Sequence, residues 1–215
     1  MAEPFPYELL KAHHDLAQLG EWDAEVYADF DALREGRLSE EDFRAKHAWR
    51  VAILCLDMTG FTEAAIQYGE IASLQRIYDV QRVCCPVFRA HRVRRVRAFA
   101  DDLTAVFDDP RDALAAAFEV HRRIRAFNGS RLAGPHPAEC AIGIGYGDVF
   151  ALGPDLAMGD EMNRASKLGE DTARGCETLV TENLYLANCD RADCRFEPMN
   201  SDDLAFPFYV AVALD

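Results

Sequence analysis

The order of apolar runs along this 215-residue chain predicts an α/β fold: a ferredoxin-like βαββαβ sandwich with extra C-terminal strands and an N-terminal helical lead-in. Three observations carry that reading. The run "VAILCL", Val51 to Leu56, is continuously apolar and stops abruptly at Asp57, as a strand buried on both faces does. Two shorter runs, Val93 to Ala100 and Leu103 to Phe107, are separated only by Asp101 and Asp102 and read as a hairpin. Long stretches of helical period, from Ile71 to about His91 and from Pro110 to Phe127, separate the first strand from the hairpin and the hairpin from a strand at Glu139 to Leu152.

Each element has a local reason. Residues 1–48 are polar, with Leu9, Leu10, Leu16 and Leu19 at roughly helical spacing, and they predict two or three short helices. Within them "REGRLSEEDF" holds a glycine stop, then Ser39 as an N-cap followed by Glu40, Glu41 and Asp42 in the first turn. This gives an N-terminal helical extension over 1–48 and a main domain over 49–215. "MTGFTEAA" turns the first strand into a helix, and Pro110 sits where a helix tolerates proline, at its start. Gly129 to Pro137 is loop. Gly143, Gly145 and Gly147 lie late in a strand, not between a first strand and a helix, so they predict close backbone packing and not a dinucleotide site. A short helix at Met162 to Leu168 follows, then strand, helix, strand and a final strand, Phe208 to Val212. No internal repeat or low-complexity tract occurs.

Composition narrows the function. The net charge of −14 argues against nucleic acid as a partner, because phosphate binding needs a positive footprint. The one basic stretch, Arg82 to Arg97, predicts a solvated or acid-paired face, with an anionic ligand for one or two of its arginines. No segment approaches the ~18 apolar residues of a membrane helix, and no basic-then-apolar leader opens the chain; the expectation is a cytoplasmic protein without membrane contact. Among seven cysteines, Cys55, Cys84, Cys85 and Cys140 sit in apolar runs as small core residues, and no second Cys/His pair accompanies Cys189 and Cys194.

In the predicted topology the first and third strands are antiparallel neighbours, so Asp57 at the end of one lies beside Asp101 at the start of the other. Two carboxylates at a strand edge suit a hard divalent cation, Mg²⁺ or Mn²⁺, which keeps positions for water and substrate phosphates. The turn "DMTGF" adds the Met58 carbonyl as a ligand and helix N–H groups as an anion-binding end. Spacing alone fits an ordinary acidic hairpin turn equally well.

Four stretches in register, "ILCLDMTGFT", "RAFADDLTAVF", "AIGIGYGDV" and "GDEMNRASKL", resemble the class III nucleotidyl cyclase catalytic domain. Its pattern has D-x-x-G-F-T, K-x-x-G-D-x-x-x-A-x-F, I-G-I-x-x-G-x-V and G-x-x-V-N-x-A-[SA]-R, and the likeness covers roughly residues 50–185. The resemblance implies two Mn²⁺ or Mg²⁺ ions per site held by Asp57, Asp101 and the Met58 carbonyl. It also implies Asn163 on the ribose and Lys167, where an arginine is usual, on the triphosphate. It implies a head-to-tail homodimer with sites at the interface. The reaction would be attack of the ribose 3′-hydroxyl on the α-phosphorus, releasing pyrophosphate.

The departures from the pattern bear on the substrate. Arg97 replaces the lysine that faces adenine, Leu156 falls at the partner position (Asp155 in a neighbouring alignment), Ala100 replaces a glycine, and no C-terminal lysine lies near Asp202 and Asp203. A leucine cannot accept from an adenine amino group, and a larger arginine beside it suits a smaller base with carbonyl acceptors. That favours UTP, then CTP. The short form resembles the pyrimidine cyclases of bacterial antiphage defence, which implies a cyclic UMP or cyclic CMP signal read by a separate effector. An adenylate cyclase in which arginine still binds adenine, and a nucleotide-binding pseudo-cyclase, stay open at this point.

Overall fold

The computed structural model describes residues 9–10, 12–20, 22–133, 137–153, 157–201 and 203–214. Helices α1 (His13–Leu19), α2 (Ala24–Arg34) and α3 (Glu40–His47) come first. Then follow β1 (Ala48–Met58), α4 (Phe61–Tyr68), α5 (Glu70–Ala90), β2 (Arg95–Phe99), β3 (Asp102–Phe107), α6 (Pro110–Asn128) and β4 (Cys140–Ala151). The chain continues through β5 (Ala157–Met158), α7 (Asp160–Ser166), a π-helical turn (Lys167–Thr172), β6 (Thr178–Thr181), α8 (Glu182–Leu186), β7 (Cys194–Met199) and β8 (Phe208–Ala213).

The sheet order is β2-β3-β1-β4-β6-β8-β7, with β5 paired to the end of β4. Its first four strands have the order of a ferredoxin-like βαββαβ unit, as the apolar runs predict. Two features exceed the prediction: the two-residue strand β5, and the π-helical continuation of α7, which no apolar period announces.

The chain divides into two compact units, Met1–Trp49 with Phe150–Met158, and Arg50–Val149 with Gly159–Asp215. In the first, Val26, Phe43 and Leu152 form a small buried core packed by Trp22, Phe30 and Phe150. The Ser39 hydroxyl accepts from the Asp42 N–H at 3.0 Å, the cap its sequence predicts. The Asp23 N–H donates to the Leu152 carbonyl at 3.1 Å. Phe150 and Leu152 thus complete the core of the helical unit.

The second unit holds the rest of the sheet. Leu54, Leu56 and Met58 of β1, Leu103, Ala105 and Phe107 of β3, and Ile142 and Ile144 of β4 share one face with Val80, Cys84 and Phe88 of α5 and Leu114, Ala117 and Val120 of α6. Alternation sends Ile53, Cys55 and Asp57 to the other face. There α7 and the π-turn lie on β1 and β4 with almost no space between backbones. A Cβ on Gly143 would collide with the Ala165 carbonyl and the Gly169 N–H, and one on Gly145 would stand 2.6 Å from the Glu161 carbonyl. Gly169 in turn approaches the Cys55 carbonyl so closely that a Cβ there would be 2.5 Å away. The glycines of "GIGYG" therefore serve close packing, as their place late in a strand predicts. Within the arginine stretch Arg82 pairs with Asp79 at 3.3 Å, Arg92 with Asp112 at 2.6 Å and Arg94 with Asp108 at 3.1 Å.

Gly143→Ala should cost about 3 kcal/mol through overpacking and lower the Tm by roughly 10 °C. Thermal denaturation followed by circular dichroism measures this, and an unchanged Tm would contradict the backbone contact.

Candidate active site

The antiparallel pairing of β1 with β3 matches Cys55 to Thr104 and Leu56 to Leu103. One step further, Asp57 stands opposite Asp102, the first residue of β3, and the two carboxyl groups share a hydrogen bond. The hairpin turn consists of Ala100 and Asp101, one residue earlier than the paired acids suggest. Asp102, which sequence reasoning takes for a turn residue, faces the site, and Asp101 flanks it from the turn. Ala100 adopts φ 50°, a left-handed conformation that costs a residue with a Cβ about 1 kcal/mol. The cyclase pattern has glycine at this position.

Burial raises the pKa of Asp57, and repulsion from Asp101 and Glu170 adds to it, while hydrogen bonds from Asp102 and the Met58 N–H act in opposition. Asp102 is pushed up to about 7 by burial first, then by the charges of Glu170, Asp101 and Asp57. Glu170 comes from the π-turn, where its carboxylate accepts from the Ser166 hydroxyl at 2.6 Å. Sequence reasoning misses this group, because only packing of the π-turn on β1 brings it to the strand end. Four carboxylates from three elements thus share one region, and like charges so placed call for a cation.

The donors fit a hard divalent ion, being oxygen throughout. Among the described residues no three His, Cys, Asp or Glu side chains are gathered to enclose a metal unaided. Asp57 and Asp101 would accordingly supply part of a shell that water and phosphate oxygens complete, a pattern suited to Mg²⁺ or Mn²⁺. Met58 closes β1 with its side chain in the core, which leaves only its backbone for ligation. The following turn is held on both sides: the Thr59 N–H donates to the Glu139 carbonyl at 3.0 Å, and Arg76 donates to the Thr59 carbonyl at 3.1 Å. Gly60, at φ 69°, then starts α4.

Asn163 and Lys167 are exposed and, four residues apart, project from the same side of α7 and the π-turn. The Lys167 ammonium pairs with Asp171 at 3.0 Å, and Lys167 is the last lysine in the sequence. Arg97 of β2 is opposite Thr104, and Thr104 is opposite Cys55, so Arg97 shares the sheet face of Asp57 and Asp102. Its guanidinium lies 5.5 Å from the ring centroid of Phe99, an exposed side chain on the same strand. Leu156 and Asp155 lie outside the described residues.

No family model and no curated protein sequence matches this chain. Solved structures do. The dimeric guanylyl cyclase domain of the RhoGC fusion protein from the aquatic fungus Blastocladiella emersonii superposes with a TM-score of 0.65 at 18% identity, over 77% of this chain and 96% of that domain. The adenylyl cyclase CyaB from P. aeruginosa gives 0.65 at 18% identity, over 78% and 96%. The guanylate cyclase domain of RhGC from Catenaria anguillulae, in complex with GTP, gives 0.64 at 17% identity, over 79% and 98%. The chain has the fold of the adenylyl and guanylyl cyclase catalytic domain.

Both carboxyl shifts are upward, so the folded state keeps protons that the unfolded chain releases above about pH 4. Stability is therefore lost as pH rises through about 7. Asp102→Asn should leave the Tm near wild type at about pH 4 and raise it at about pH 8, and millimolar Mn²⁺ should raise the wild-type Tm at the higher pH more than that of Asp57→Ala. A difference between wild type and Asp102→Asn that does not vary with pH would contradict the charge cluster.

Proposed function

We propose that this chain is a nucleotidyl cyclase that works as a head-to-tail homodimer and turns a pyrimidine nucleoside triphosphate, UTP before CTP, into its 3′,5′-cyclic monophosphate and pyrophosphate. The observation that carries the reading is the meeting of Asp57 with the hairpin carboxylates at the β1–β3 strand end, within a fold shared with adenylyl and guanylyl cyclase domains. In the reaction the ribose 3′-oxygen bonds to the α-phosphorus and its proton passes to water. The bond from that phosphorus to the bridging oxygen breaks, and the electron pair leaves with pyrophosphate.

Each residue has a task in this scheme. Asp57 and Asp101, with the Met58 carbonyl, hold two divalent cations. Those ions, when bound, neutralise phosphoryl charge and lower the pKa of the attacking hydroxyl. The partner's Asn163 orients the ribose, and the partner's Lys167 grips the triphosphate. Its pairing with Asp171 is solvent-exposed and gives way at little cost. Positioning and charge neutralisation do most of the work in phosphoryl transfer, which matches a site built of carboxylates and cations.

Base choice rests on Arg97. Its planar fork offers donors only, which suit the two carbonyl acceptors of uracil and leave the amino group of adenine facing another donor. The ring of Phe99 stands beside that guanidinium and limits its freedom. The cyclic nucleotide would act on a separate effector, antiphage defence being the setting that the resemblance implies. A nucleotide-binding pseudo-cyclase is the second reading, favoured by Lys167 being both acid-paired and the last lysine.

Incubating the protein with each of the four nucleoside triphosphates and Mn²⁺ should yield cyclic UMP above the others. Product from ATP alone would overturn the base assignment, and tight binding without any product would select the second reading. Asp57→Ala and Asp101→Ala should each abolish turnover, while Arg97→Lys should narrow the preference for UTP over ATP by about tenfold. Mixing Asp57→Ala chains with Asn163→Ala chains should restore one working site per mixed dimer.

A further inference from the structure

Glu161 is a carboxylate buried to 5% exposure inside a short helix, where a charged group needs several partners to be tolerated. It has four. One oxygen accepts from the Tyr146 N–H of β4 at 3.1 Å and from the Thr181 hydroxyl at the end of β6 at 2.8 Å. The other accepts from the Asn183 amide of α8 at 2.9 Å and from Arg164 of its own helix at 3.0 Å. The cyclase pattern leaves this position open.

The position is mechanically effective. The parallel ladder between β4 and β6 runs from Ile142–Thr178 to Ile144–Val180. Tyr146 lies beyond its last pair, and the Glu161 carboxylate accepts the N–H that the ladder no longer uses. Gly145 and Gly147 leave room for it: a Cβ on either would come within 3.0 Å of a Glu161 atom. Asn163, two residues along the helix, is turned about 200° away and faces outward.

We propose that Glu161 is a positioning residue that fixes the angle of α7 on the sheet and, through it, the side chains of Asn163 and Lys167. The role rests on the cyclase reading above. It assigns Glu161 to the half-site that carries Asn163, opposite in the dimer to the half-site that carries Asp57.

The test combines hydrogen exchange with mixed dimers. In Glu161→Gln, amide exchange should rise about tenfold or more across residues 157–172 while α5 and α6 keep wild-type protection. Its turnover should fall about a hundredfold with KM within a few-fold of wild type, as expected for misplaced groups that act in the transition state. Glu161→Gln chains mixed with Asp57→Ala chains should regain activity, because one site of that dimer has both halves intact. Mixed with Asn163→Ala chains they should not. Rescue by Asn163→Ala, wild-type turnover in folded Glu161→Gln, or exchange that rises uniformly over the domain would each overturn the proposal. Should Glu161→Gln fail to fold, Thr181→Val and Asn183→Ala each remove one donor, and the same exchange and pairing patterns are required of them. If the wild type cyclises no nucleotide the cyclase reading fails, and the exchange arm still decides whether Glu161 holds α7.

Discussion

The close approach of α7 and the π-turn to the glycines of β4 is the contact on which the rest of the site depends. With Gly143 and Gly145 in the strand and Gly169 in the π-turn, backbones meet where side chains would hold them apart. That contact covers the second face of β1 and β4, buries Leu168 against Leu179 and Phe208, and carries Glu170 to the strand end where Asp57 and Asp102 stand. Asn163 and Lys167 ride on the same element. A single larger residue in this seam would shift both the charge cluster and the exposed pair.

The charge cluster is the counterpart of that packing. Half-burying Asp57 and Asp102 beside Asp101 and Glu170 costs stability at neutral pH, as their raised pKa values express. A fold selected for stability alone would place apolar or neutral groups there. The strain at Ala100 is of the same kind, a left-handed turn imposed on a residue with a Cβ so that the hairpin closes between Phe99 and Asp102. Elsewhere the molecule follows the usual rules: the face under α5 and α6 is apolar throughout, and Cys55, Cys84 and Cys140 are buried, with burial holding their thiols in the neutral form.

Much of this was legible from residue order. Val51 to Leu56 announced β1 because a strand buried on both faces needs an unbroken apolar run, and Ser39 announced α3 through its cap. The hairpin and the adjacency of Asp57 to its acids followed from topology. The roles within the acid pair did not. Which of Asp101 and Asp102 pairs with β1 depends on register, and a one-residue shift exchanges the faces. Glu161 and Glu170 were invisible for a related reason: each matters through partners 15 to 113 positions away, which only packing brings near.

The sequence by itself determined most of the secondary elements, their order and the strand end at which acids gather, because periodicity, caps and chain connectivity are local properties. It also carried Arg97 where the cyclase pattern has lysine. Tertiary structure decided that Asp102 faces Asp57, that Glu170 joins them, that Phe150 and Leu152 complete the core of the N-terminal helices, and that the buried Glu161 carboxylate of α7 bonds to β4, β6 and α8. These depend on strand register and on how closely one backbone lies upon another, and neither is written in any single stretch of residues.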